Sequence, residues 1–504
     1  MLLVGQSDPV PVLTDEEGAI LDVACVGACE GDPDCEALCV DSSLAEEPTG
    51  PDRSGPPEVL PPEILSLPEP TRHELHPGLS VDVVEAPWAR KLELQISFHR
   101  GRLFLGDGQQ TEEARMMGWL WDVATLELDG SALSEIKDLH EIEIWSTSDA
   151  NSVDLVLRVP AEHLSLGLDL LNQVIHEPAF PRKELKLAQR DRKLRYTVEV
   201  PVSLGALASE VLDDAWYPAD HPYGARTDLK ALKKTRSSDL RALHSTLLEN
   251  APVSVTAVGP VPWAELEEPL RAALGAIGVS GERPEPYEDP AHQGTRVFAV
   301  DLPGQEQVAV RLRLSAPGRY HTDRPAFSAV NFALTGTFLS RLNKNLREEK
   351  GWTYGVRGGY SVSRLSGQVL YSVDVPLDKA RAAMDELEKE LAKMAAEGPT
   401  QDEIDNRWRD QVSTWNTRLQ TSEMARSFYA GLVDYQESLQ DRLALLKASA
   451  ELSPEQCQQA ANRYLGSDAP RLWVVVGDRA GLEPQLEGYE VTWLDPESAA
   501  LGSW

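Results

Sequence analysis

Apolar and polar residues alternate strictly at a few places along the chain, and helical repeats fill the intervals. "SVDVVEAPW" and "KLELQISFHRG" read as one strand pair, "EIEIWSTSD" and "SVDLVLRVP" as a second. Apolar positions recur with helical spacing near 111–127 and 130–138, and again at 161–176, 182–199, 205–216 and 236–248. The turn-rich "YPADHPYG" interrupts this block, and "PVSVTAVGP" closes it as a strand. The same order then returns. "TRVFAVDLP" and "QVAVRLRLS" lead into a helix over 324–350, followed by a hairpin, "WTYGVRGGYSVSRL" with "GQVLYSVDVP", turned at Ser-Gly. Helices at 377–397, 401–418, 422–432, 439–449 and 453–465 precede a last strand, "RLWVVVGD". The helix at 453 carries its own start signal, with Ser453 as N-cap, Pro454 at the first position and Gln456 completing a capping box.

Two copies of one element order, each about 200 residues long, predict a duplicated α+β unit; solenoid repeats are much shorter. The divisions fall at composition changes. Residues 1–78 are acidic and rich in proline, which predicts an extended arm. Residues 79–277 and 295–504 are the two halves, and "GVSGERPEPYEDPAHQG" at 278–294 reads as the linker.

Charge narrows the partners. With 48 Lys+Arg against 81 Asp+Glu the formal net charge is −33, which argues against nucleic acid and anionic membrane and suits basic polypeptides or simple solubility. No apolar run is long enough to span a membrane. The start, "MLLVGQSDPVP", is no secretory signal as it stands, because no Lys or Arg precedes Arg53. Either the protein stays inside the cell or a leader is missing from this chain. Cys25, Cys29, Cys35 and Cys39 bear on that choice. Two pairs spaced i,i+4 flank a Gly-Asp-Pro turn, so a helical hairpin could set them face to face as disulfides. A four-thiolate zinc knot and free thiols are the competing readings. Disulfides would place the protein in an oxidising compartment, the periplasm or another exported location, with the cytoplasm as the alternative. Cys457 reads as a buried helix thiol.

Several stretches carry a resemblance. "LTGTFLSRLNKNLREEKGWTYGVRGGYS" (334–361) resembles the C-terminal half of the pitrilysin/insulinase-type metallopeptidases, and "YPADHPYGARTDLKALKK" (217–234) looks like a turn and helix of their N-terminal half. "PVSVTAVGP" and "LWVVVGD" look like the strands that close each half. The resemblance covers about residues 80–490. It implies two homologous halves, each a mainly antiparallel sheet covered by helices.

The family's chemistry resides in His-x-x-Glu-His on one helix, with a more distant glutamate completing the zinc site. Aligning Gly118 and Gly130 with the family's glycines puts Trp121, Ala124 and Thr125 at the His, Glu and His positions. None of the three can bind zinc or take a proton from water. Glu199 is the nearest late carboxylate for the distant ligand. Other histidines give no substitute. His73 and His76 lie in the arm, and His140 and His176 are lone imidazoles.

The resemblance also implies a substrate clamp. Arg347 and Tyr354, in "LREEKGWTYG", fall on the positions where the family's C-terminal half contacts bound peptide. There the arginine would end a helix and the tyrosine would return on a strand at 352, both donating hydrogen bonds to a peptide carbonyl or oxyanion. The expectation is a non-catalytic subunit of a heterodimeric zinc metallopeptidase. It would hold no cofactor of its own, pair with a zinc-bearing homologous subunit and bind peptide or unfolded polypeptide. The alternative is a catalytically dead scaffold of the same fold.

Overall fold

The computed structural model describes residues 62–101, 111–275, 277 and 282–504. Cys25, Cys29, Cys35 and Cys39 lie outside the described residues. Two six-stranded sheets organise the chain. The first runs β1 (Thr71–His76), β2 (Leu79–Glu85), β6 (Val253–Gly259), β3 (Lys91–Phe98), β5 (Val153–Pro160) and β4 (Glu143–Ser148). The second runs β12 (Val491–Leu494), β7 (Thr295–Asp301), β11 (Arg471–Gly477), β8 (Gln307–Ala316), β10 (Gly367–Pro376) and β9 (Arg357–Val362).

The two orders superimpose strand for strand, as the repeated pattern predicts. β6 lies parallel to β2 and antiparallel to β3, and β11 relates in the same way to β7 and β8. Only the edge differs. In the first sheet it is a strand from before the repeat, antiparallel to its neighbour; in the second it comes from after the repeat and is parallel. The sheets are therefore mixed but mainly antiparallel.

Two expectations need correction. The first pair of alternating strands in each half does not pair. The closing strand, buried along its whole length in β11, is inserted between them. A strand apolar on both faces has its lowest free energy at the centre of a sheet, which sequence proximity alone does not reveal. The extended arm also ends earlier than residue 78, because β1 pairs with β2. The preceding segment is fastened as well. Trp415 Nε1 donates to Leu65 O at 2.8 Å, and the Tyr429 hydroxyl donates to Pro68 O at 2.7 Å.

Each sheet packs its own half's helices on one face, and a helix of the other half crosses its second face. The helix Leu204–Trp216 covers β11 and β8, while Ser422–Tyr435 covers β6 and β3. Alternation in β11 fits this: Trp473 and Val475 face the C-terminal half's helices, and Leu472, Val474 and Val476 face Leu207, Val211 and Leu212. Residues 62–504 form one compact unit. The described part of 278–294 is tied down. Asp289 accepts from Tyr217 Oη at 2.9 Å and from Trp216 Nε1 at 3.2 Å, and its amide donates to Ser366 Oγ at 2.7 Å.

Candidate functional site

The helix expected to bear a metal motif stops short of it. It spans Thr111–Leu120, and the chain then turns. Trp121 is fully buried, its Nε1 donating to Val174 O at 2.8 Å and its ring packed against Phe98 and, edge-on, His244. Burial holds His244 neutral, lowering its pKa to about 4, and its Nε2 lies 2.8 Å from Ile175 O. Beyond Trp121 the chain turns, and Thr125 forms an isolated antiparallel bridge with Pro178. Ala179 N donates to Ala124 O at 3.0 Å, and Leu126 N to Glu177 O at 2.8 Å. Thr125 Oγ1 donates to Gln173 Oε1 at 3.1 Å. The expectation of helix over 111–127 is thus corrected, and Trp121, Ala124 and Thr125 do not share a helical face.

The nearby carboxylates are committed or turned away. Glu112 on the same helix is buried in an ion pair with Arg192, Nε to Oε2 at 2.7 Å, and also takes Arg115 at 2.7 Å. Glu199 ends a wide turn, Arg195–Glu199, with its side chain exposed. Among the described residues no group of three His, Cys, Asp or Glu side chains is placed to hold a metal. The residues present do not fit a zinc ion. The remaining histidines have structural contacts: His73 stacks on Trp263, His176 Nε2 lies 3.1 Å from Ala273 O, and His140 meets His163 edge-on. Cys457 is buried, which raises its thiol pKa to about 12.

In the C-terminal half, the helix predicted over 324–350 is broken. It spans Arg324–Thr335, stops at Gly336, and resumes as the turn Arg341–Asn343 and the wider turn Lys344–Glu349. Phe338 and Leu339, in the break, are 68% and 86% exposed. Gly351 reverses the chain at φ 65°, a conformation that suits glycine. The strand then starts at Arg357 rather than at 352, so Tyr354 lies on the loop between two glycines.

Tyr354 is 96% exposed. It borders an open cleft of about 970 Å³ with Trp352, Phe338 and Arg311. Arg347 is in the turn behind, its guanidinium 4.7 Å over the Phe338 ring and 3.2 Å from Glu348 Oε1. Among the described residues no hydrogen bond or ring contact joins Arg347 to Tyr354. A residue the sequence reading passed over holds the loop. Buried Asn343 accepts from Val356 N and donates to Val356 O and Thr337 O. Its only signal was its place in "SRLNKN".

Residues 236–407 match the family model described as the peptidase M16 inactive domain. Over this stretch the chain is similar to the pitrilysin-type peptidases, and its sequence contains no His-x-x-Glu-His. The fold agrees. A peptidase M16 inactive domain from Pseudomonas fluorescens superimposes with a TM-score of 0.72 at 20% identity, covering 81% of this chain and 98% of that one. The periplasmic protease PqqL of Escherichia coli gives 0.68 at 17% identity, covering 90% of this chain and 51% of that one. An uncharacterized zinc protease of Mycobacterium leprae is 24% identical over 228 residues, 42% of this chain. The match spans only about half of that relative, 51% of its length. Residues 236–407 thus resemble an inactive-type domain. Among its described residues no helix is long and apolar enough to cross a membrane.

Proposed function

We propose that this chain is the non-catalytic subunit of a heterodimeric zinc metallopeptidase, closing the chamber and binding extended peptide for a zinc-bearing homologous partner. One contrast carries the reading. Trp121, which aligns with the family's first histidine, is buried, whereas Phe338 and Tyr354 of the C-terminal half line a cleft and stand exposed, as does the neighbouring Leu339. Large apolar side chains grouped on an exposed surface mark an interaction site. Tyr354 would then donate to a bound peptide carbonyl, with Arg347 contributing positive charge behind it. The net charge of −33 favours basic peptides. The cysteines at 25, 29, 35 and 39, as disulfides, would fit an exported, periplasmic protein.

The scaffold reading has one observation of its own: Arg347 already stacks on Phe338 and lies beside Glu348. Mixing the chain with its zinc-bearing homologue separates the two. Peptide cleavage should fall about tenfold with Arg347→Ala or Tyr354→Phe, the loss of one charge-assisted or transition-state hydrogen bond. Unchanged turnover in both variants would leave the scaffold reading standing.

A further inference from the structure

Away from the cleft, the C-terminal half contains a second cavity, of about 270 Å³. The helices Arg324–Thr335, Gln401–Asn416, Ser422–Tyr435 and Leu439–Ala450 frame it, with β9 along one side. Arg324, Arg407, Arg418 and Arg442 all line it, and no Asp or Glu does. In a chain of net charge −33, four arginines around one small cavity need a physical reason.

The carboxylates nearby do not supply it. Arg407 pairs with Asp410 at 2.6 Å. Glu437 lies 3.4 Å from Arg442, but it already receives two hydrogen bonds from Arg319, at 2.7 and 2.8 Å. Among the described residues neither Arg324 nor Arg418 has a carboxylate within ion-pair distance. Burial lowers the pKa of all four arginines, and the neighbouring Arg319 adds to this for Arg324 and Arg442, the latter coming down to about 10. Gln411 Oε1 is buried on the same wall without a hydrogen-bond partner. Partly buried cations without counter-charge are costly, and a planar guanidinium matches phosphate oxygens in pairs.

We propose that this cavity binds a small phosphate-bearing molecule. Its phosphate lies among Arg324, Arg418 and Arg442, a hydroxyl on it meets Gln411 Oε1, and its organic body rests against Trp415 and Phe428. The volume is at the low end for small-molecule sites, which limits the ligand to about the size of a mononucleotide. In that aromatic wall Trp415 and Phe428 meet edge-on with centroids 5.7 Å apart, and Arg418 lies 5.3 Å over Phe428.

The test uses the full chain, with calorimetry and thermal unfolding in inorganic phosphate, pyrophosphate, adenosine monophosphate or adenosine at constant ionic strength. The phosphates should bind and raise the melting temperature, adenosine monophosphate most strongly, and adenosine should do neither. Arg418→Gln should weaken phosphate binding about tenfold, and Arg418→Lys, which keeps the charge but not the fork, by less. If none of the three phosphates binds, or if they bind Arg418→Gln as tightly as the native chain, the proposal fails. Equal affinity for phosphate and adenosine monophosphate would overturn the seat for an organic body.

Discussion

Asn343 holds Val356 by both backbone groups, its Oδ1 accepting from the amide at 2.8 Å and its Nδ2 donating to the carbonyl at 3.2 Å. A short side chain thus stands in for a strand partner at the entrance to β9. The same Nδ2 donates to Thr337 O at 3.1 Å, so one amide links the break in the helix to the loop bearing Tyr354.

Replacing Asn343 with Ala should strand the buried Val356 amide and cost about 2–4 kcal/mol, two hydrogen-bond losses with their desolvation. Urea unfolding measures the loss, and amide exchange at Val356 locates it. Asn343→Asp keeps the acceptor for Val356 N and should retain part of the protection. An Ala variant with native exchange at Val356 would show that the loop is held by something else.

Restoring the motif should not restore the metal. In Trp121→His, Ala124→Glu, Thr125→His, the three new side chains sit on a turn and an extended segment, without a common helical face. Metal analysis after dialysis against zinc should find far less than one zinc per chain. Loss of the Trp121 side chain alone should cost about 3–5 kcal/mol. A full equivalent of tightly bound zinc would show that this segment can recoil into a helix.

Protons should report on the junction between the halves. Asp154 on β5 has its pKa raised to about 7, by burial and then by Asp434 on the helix that crosses from the other half, with Asp149 adding to it and Ser97 and Arg426 opposing. Asp434 is raised to about 6, mainly by burial, against the pull of Arg283. A native carboxyl with a raised pKa holds a proton that the unfolded chain has released, so its contribution falls as pH rises from about 4 to about 7. Buried His99 and His244, lowered to about 3 and about 4, act in the opposite sense. The informative quantity is therefore the difference between Asp154→Asn and the native chain. The variant should gain relative stability across that interval in urea midpoints. A constant difference from pH 4 to pH 7 would remove Asp154 from the account.

The strands were legible because alternation survives in each of them, and the repeat was legible because the order of elements recurs. Partner choice was not. "SEMARSFYAGLVDY" declares a helix with an apolar face, but nothing local says that the face covers β6 and β3 of the other half. That Trp121 cannot ligate zinc is legible from its side chain alone. The unwinding beyond Leu120 could not be read, because it depends on pairing with residues 177–179, more than fifty positions later. Tyr354 was misplaced for a similar reason: the alternation of "WTYGVRGGYS" extends past the true strand, and the tie from Asn343 sets where pairing begins. The four arginines of the second cavity lie between 324 and 442, too far apart in the chain for any motif to gather them.

The exchanged helices have a mechanical consequence. A two-lobed protein usually opens about a hinge, each lobe keeping its own core. Here Leu204–Trp216 and Ser422–Tyr435 are sewn into opposite sheets, so parting the lobes would bare Val300, Leu472 and Val474 on one side and Val84 and Val258 on the other. Separating the two sheets therefore costs apolar burial on both sides. In the proposed heterodimer, room for a polypeptide would then come from movement between the subunits.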